Sequence, residues 1–113
     1  MGMIVDGQWH IQSVVTSDKV GSYKRSTRTF RNFISRNDKD FKPETDRYHL
    51  YISYACPWAT RTLIYRKLLN LESHISVSVV HPDMLGSGWE FNPNFKGATE
   101  DHLYNMDYLY QIY

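Results

Sequence analysis

The chain has 113 residues, 42% of them apolar, and a formal net charge of +1. That is room for one small domain with a packed core, and it argues against disorder. The small charge argues against a general nucleic-acid binder, the single cysteine excludes an internal disulfide, and no stretch is long and apolar enough to span a bilayer.

Met1 to His10 has no basic region followed by an apolar run, so no secretory signal is expected. Asp6 sits where myristoylation of Gly2 would need Ser or Thr. A lone cysteine fits a reducing compartment, and a soluble cytoplasmic protein is expected. Tyrosine dominates the aromatic 15%. Such a composition suits a binding surface or a core that is only half enclosed, and we favour the second.

Residues 1–20 are weakly patterned, with a short strand expected around Ile11, Val14 and Val15. Residues 22–36 carry Lys24, Arg25, Arg28, Arg31 and Arg36, with Phe30, Phe33 and Ile34 at helical spacing. This predicts an amphipathic helix with a solvated basic face. The sharper alternative is a surface that contacts phosphates or another anion. Residues 37–46 are polar, contain Pro43 and read as a loop.

Residues 47–54 are rich in aromatic and β-branched types and predict a strand. Residues 58–70 predict an amphipathic helix, with Ala59, Leu63, Ile64 and Leu68 on one face and Thr60, Arg61, Lys67 and Asn70 mostly on the other. Arg66 and Lys67 suit the negative pole of its dipole. Residues 75–80 predict a second strand. Strand, helix and strand make one right-handed βαβ unit with parallel strands. A loop follows from His81 to Ala98. Thr99 is a plausible N-cap for a last helix, with Glu100 and Asp101 in its first turn and Leu103, Met106 and Tyr110 continuing it. A two-stranded parallel sheet leaves edges to pair, so the chain reads as the front portion of something larger.

Cys56-Pro57-Trp58-Ala59 lies at the junction of strand and helix. A cysteine at the N-cap faces the free N–H groups of the first turn, and those donors favour a thiolate over a thiol. Pro57 suits the first helical position, where its missing N–H is not needed. Ala59 stands where a dithiol oxidoreductase would carry a second cysteine. A mixed disulfide on Cys56 must then be resolved by an outside thiol, and glutathione is the obvious cytoplasmic one. The bland alternative is a small buried cysteine at a helix start.

At these residues the chain resembles the glutathionyl-hydroquinone reductases, the Xi-class, omega-like branch of the glutathione transferase superfamily. RYHLYISYACPWATRT over residues 47–62 is similar to the family's active-site segment. The similarity continues through TLIYRKLLNLE, ISVSVV, the GSGWEF loop and GATEDHLYNMDYLYQIY, and upstream through DGQWH and TRTFRNFIS. The resemblance implies a thioredoxin-like α/β fold, incomplete, with a βαβ core. It also implies an N-terminal extension over 1–46 and the first part of the glutathione-binding domain over 47–113. Cys56 would be the catalytic nucleophile, positioned by Pro57 and Trp58, and Trp89 would line the glutathione site with it. A loop tryptophan packed on the core is the other account of Trp89.

The implied reaction is reduction of a glutathionyl-hydroquinone to the hydroquinone, with glutathione as co-substrate and no metal. A homo-oligomer without nucleic-acid or membrane partners is expected. Two departures stand out. The family usually has His where Thr60 stands. Its members are also several times longer, with a Val-Pro turn, a Glu-Ser motif and a helical domain beyond this stretch. The rival accounts are a non-catalytic module that self-associates through open strand edges, and anion binding by the Arg-rich segment. His10, His49, His74, His81 and His102 show no metal-ligand spacing, and Gly86-Ser87-Gly88 is too short for a phosphate loop.

Overall fold

The computed structural model describes residues 2–11, 16–17, 19–24, 27 and 29–113. β1 (Met3–Val5) and β2 (Gln8–His10) form an antiparallel hairpin with Ile4 opposite Trp9. Asp6 and Gly7 connect them at φ 50° and 77°. Two left-handed residues in a two-residue loop are what a type I′ turn demands, and Asp-Gly supplies them cheaply. β3 (Thr16–Ser17) and β4 (Tyr23–Lys24) make a second antiparallel pair. Of the strand expected near residue 14, Val14 and Val15 lie outside the described residues, and Ile11 is exposed and in no strand.

Among the described residues of 22–36, the expected helix does not form. Tyr23 and Lys24 are in β4, residues 29–35 have no regular structure, and Arg25 and Arg28 lie outside the described residues. Phe30 and Phe33 are largely exposed. An isolated turn of helix is costly to nucleate, and most helices in proteins are stabilised by packing an apolar face. These two rings have no surface to cover. Ile34 instead edges a cavity of about 390 Å³ with Pro43, Tyr48, Leu71 and Ile75.

The predicted βαβ unit is present as β5 (Tyr48–Ile52), α1 (Pro57–Leu68) and β6 (Ile75–Val79), with the strands parallel. Leu50 pairs with Val77 and Ile52 with Val79, so one face of this sheet is apolar. His49 pairs with Ser76 and Tyr51 with Ser78, so the other face is polar. Among the described residues the buried apolar side chains are few: Ile52, Val79, Val80 and Phe91. The tyrosine-rich composition accordingly goes with a half-enclosed core.

Ala59, Leu63 and Arg66 form the half-buried stripe of α1. Ile64 and Leu68, expected on the inward face, are exposed. A sheet of two strands, spaced about 5 Å apart, is too narrow to cover more than one stripe of a helix. Arg66 does more than complement the dipole. Its Nε donates to the Ile75 carbonyl at 2.7 Å and its Nη2 to the Glu72 carbonyl at 2.9 Å. These bonds tie the end of α1 to the start of β6.

The helix ends in a Schellman motif. Leu71 N–H donates to the Arg66 carbonyl at 2.8 Å and Asn70 N–H to the Lys67 carbonyl at 3.1 Å, with Asn70 at φ 54°. Asn70→Gly is expected to leave stability within about 0.5 kcal/mol, whereas Asn70→Val should cost about 1–2 kcal/mol for a β-branched residue held left-handed. Urea unfolding of both variants checks this, and equal midpoints would count against it.

The last predicted helix is replaced by turns. Thr99 does not cap a helix. Its N–H donates to the Val79 carbonyl at 2.8 Å, and its Oγ1 accepts the Val79 N–H at 2.9 Å, which extends the ladder of β6. The buried carboxylate of Asp101 accepts N–H bonds from Leu103, Tyr104 and Met106. A carboxylate that gathers backbone donors in this way holds a turn in competition with a helix. Asn105 follows at φ 56°, and a single 3-10 turn spans Leu109–Ile112.

Candidate functional site

Cys56 is the N-cap of α1, where the spacing places it. The buried Ser53 fixes the approach. Its carbonyl accepts the Cys56 N–H at 3.0 Å, and its Oγ accepts the Ala55 N–H at 3.2 Å. Cys56 has extended backbone angles, φ −97° and ψ 112°, as an N-cap requires. Its carbonyl accepts the first helical bond from Thr60 N–H at 3.2 Å and a second from the Thr60 hydroxyl at 3.3 Å. Thr60 thus braces the turn from below, and its β-branched side chain is satisfied within the helix. Pro57 follows at the first helical position.

The thiol is half-buried, and its sulfur makes no hydrogen bond to the first-turn N–H groups. A strand end, a tight turn and a helix start therefore hold Cys56, and no side-chain partner claims the sulfur as a cap. Trp58 is exposed, and its ring lies 4.4 Å from the Arg61 guanidinium, a cation–π contact one turn along the helix.

Trp89 is half-buried on the loop after β6. Its carbonyl accepts the Leu109 N–H at 2.9 Å, and its neighbour Glu90 bridges to Tyr108. Its ring edges a cavity of about 310 Å³ shared with Ile4, Trp9, Leu109 and Tyr110. Residues of the N-terminal hairpin therefore share that cavity with Trp89. Trp9 lies within the DGQWH stretch and Tyr110 within the expected last helix, but neither was assigned a role at the site. The Asp6-Gly7 turn was the one signal that could have found the hairpin that presents Trp9.

A second polar cluster lies on the opposite face of the sheet from Leu50 and Val77. His49 bonds to Ser76 Oγ at 2.6 Å and to the fully buried Ser78 Oγ at 2.8 Å, and Ser78 also meets His102 Nδ1 at 3.0 Å. Tyr51 donates its hydroxyl to Asp101 at 2.8 Å. Burial, and then the Asp101 carboxylate that its proton holds, push the Tyr51 hydroxyl far above its ordinary value. Burial alone would raise Asp101. The N–H of Leu103, the Tyr51 hydroxyl and the N–H groups of Met106 and Tyr104 outweigh it and hold the carboxyl below its ordinary value. Burial, reinforced by the charge of His102, lowers His49. This cluster stitches the 101–106 turns to the sheet. Among the described residues, no three His, Cys, Asp or Glu side chains converge as metal ligands.

No family model matches the chain. The whole chain aligns at 49% identity with 37% of the glutathionyl-hydroquinone reductase YqjG of Escherichia coli (strain K12). It aligns at 41% identity with 35% of the glutathionyl-hydroquinone reductase PcpF of Sphingobium chlorophenolicum. Superposed on the Xi-class glutathione transferase of Natrialba magadii, it matches over its full length and 33% of that chain, at 46% identity and a TM-score of 0.83. Over its full length the chain is similar to the N-terminal portion of these Xi-class glutathione transferases and glutathionyl-hydroquinone reductases. The glutathione-bound structure of E. coli YqjG matches 75% of the chain and 29% of its own, at 53% identity and a TM-score of 0.71.

The chain thus spans about a third of the length of these curated relatives. β5, α1 and β6 form the βαβ core of a thioredoxin-like α/β fold that is incomplete in this chain. The chain contributes the Cys-Pro helix start and the loop that carries Trp89. No helix in it is long and apolar enough to cross a membrane, among the described residues.

Proposed function

We propose that this chain carries the nucleophile of a glutathione-dependent reduction of glutathionyl-hydroquinones. The observation that supports it is Cys56 at the N-cap of α1, within a stretch that aligns end to end with two glutathionyl-hydroquinone reductases. In this reading the Cys56 thiolate attacks the sulfur of the glutathionyl group. An S–S bond forms as the C–S bond breaks. The electron pair leaves on the ring carbon, which takes a proton and departs as the hydroquinone. A second glutathione thiolate then attacks the mixed disulfide, releasing oxidised glutathione and regenerating the Cys56 thiolate.

Pro57 fixes the turn that presents the sulfur, and Trp89 contributes to the glutathione site. Residues 1–46 serve as an extension to the glutathione-binding unit that begins at residue 47. A second reading rests on the exposed apolar face of α1 (Trp58, Ile64, Tyr65, Leu68) and on the β5–β6 sheet, which has two strands among the described residues and a β6 edge only partly covered by Thr99 and His102. On that view the chain is a non-catalytic module that self-associates.

Alkylation of Cys56 with and without glutathione tests the two. Alkylation that is slowed by glutathione is the expected result. Reaction without protection, in a chain that elutes as an oligomer, would transfer the case to the second reading.

A further inference from the structure

The hairpin β1–β2 delivers one side chain to the loop that bears Trp89, across a sequence separation of 77 residues. The Trp9 indole Nε1 donates to the Gly86 carbonyl at 3.0 Å. Its ring packs so closely over Gly88 that a Cβ there would come within 2.8 Å of it, and Gly88 itself sits at φ 81°. A Cβ on Gly2 would meet the same ring at 2.2 Å. The other side of the circuit runs through the 3-10 turn. Trp9 stacks on Tyr110, with centroids 5.2 Å apart and planes 21° from parallel, and Leu109 beside it holds the Trp89 carbonyl. Trp9 therefore touches the turn that leads into Trp89 and the Tyr110 ring, next to the residue that holds the Trp89 carbonyl, and it shares with Trp89 the wall of one cavity.

We propose that Trp9 is a positioning residue for glutathione, acting through the Gly86–Trp89 turn to hold Trp89 in its binding orientation. The inference rests on the reading of Trp89 as part of the glutathione site. A glycine-rich turn has many accessible conformations. Within the turn, the Gly88 N–H donates to the Leu85 carbonyl at 3.0 Å, while Gly86 has open space around the position of a Cβ. The hydrogen bond and the ring of Trp9 supply the restriction from outside the loop. Preorganising a contact residue in this way raises affinity by cutting the ordering cost on binding.

The test uses the 113-residue chain with Trp9→Leu and Trp9→Phe. Glutathione affinity is measured by calorimetry, amide exchange at Gly88 and Trp89 by NMR, and Cys56 alkylation as a check on the helix start. Trp9→Leu should weaken glutathione by about tenfold and speed exchange at both amides, the scale of one hydrogen bond and part of a stacked pair. Trp9→Phe keeps the stack and loses only the donor, so it should fall between wild type and Trp9→Leu. Alkylation of Cys56 in the absence of glutathione should not change in either.

Unchanged affinity in both variants overturns the proposal, whether or not exchange accelerates, because the contact would then be structural only. If Trp9→Leu does not fold, Trp9→Phe carries the decision alone. A wild-type chain that does not bind glutathione sinks the reading of Trp89 and this role with it. That failure is visible before any variant is made.

Discussion

Cys56→Ser should abolish reduction of an S-glutathionyl-hydroquinone, by at least about a thousandfold, while leaving the fold intact. The substitution is unusually clean at this position. Serine is a better N-cap than cysteine, because its hydroxyl can accept the first-turn N–H groups that the sulfur leaves without a side-chain cap bond. Stability should therefore hold or rise slightly, and any loss of turnover is chemical. Serine has no accessible alkoxide at neutral pH and cannot form a disulfide. Cys56 is the single cysteine, so no other thiol can substitute.

With Ala59 in place of a resolving cysteine, the wild-type mixed disulfide should accumulate when the second glutathione is withheld. Intact-mass measurement after a single turnover should find glutathione on the wild-type chain and none on Cys56→Ser. Equal hydroquinone release from both proteins would remove Cys56 from the mechanism.

Much of this site is local, and so it was legible. The strand at 48–52, the Cys-Pro junction and the helix to residue 68 each announce themselves within a few residues, through β-branched spacing, a Pro at the first helical position and a 3.6 period. The misreadings share a cause. Residues 30–34 have helical spacing, but a helix there would have no partner, and periodicity does not reveal whether a partner exists. Residues 99–110 also have helical spacing. There Asp101 competes for the backbone N–H groups and wins, because its carboxylate is buried beside Tyr51, fifty residues away. Trp9 was illegible for the same reason of distance. Its partners Gly86, Gly88 and Tyr110 lie at the far end of the chain. Asp6-Gly7, by contrast, was a strong local hairpin signal that a weak hydrophobic pattern on either side obscured. What the chain encodes locally it shows, and what depends on a partner across the fold it does not.

The largest stability loss is expected from Asp101→Ala. Asp101 is only 3% exposed. It accepts from the Tyr51 hydroxyl and from three backbone N–H groups, so truncation strands four donors at once. A buried donor left without a partner costs about 1–3 kcal/mol, and partial rehydration of the turn offsets some of that, so about 3 kcal/mol is expected. Against a small domain's total of about 5–15 kcal/mol, that is a large fraction.

The pH dependence has a definite sign. Asp101 is held below its ordinary value of 3.8, so the folded chain holds the ionised form more firmly than the unfolded chain does. Its contribution is complete at neutral pH, starts to fall as the pH drops to about that value, and is lost below the folded value. His49 acts in a separate window. Its folded value lies below 6.5, so as the pH falls past 6.5 the unfolded chain takes up a proton that the folded ring resists, and stability declines there first. Asp101→Asn keeps one acceptor oxygen but cannot ionise. It should therefore be less damaging than alanine and should lose the acid step below pH 4 while keeping the step that begins near 6.5. Urea unfolding followed by circular dichroism, at pH values spanning both windows, separates these. An Asp101→Asn chain that retains the wild-type acid step would mean that the carboxylate does not hold the turn, and that the 101–106 segment is secured by Tyr104, Met106 and their neighbours instead.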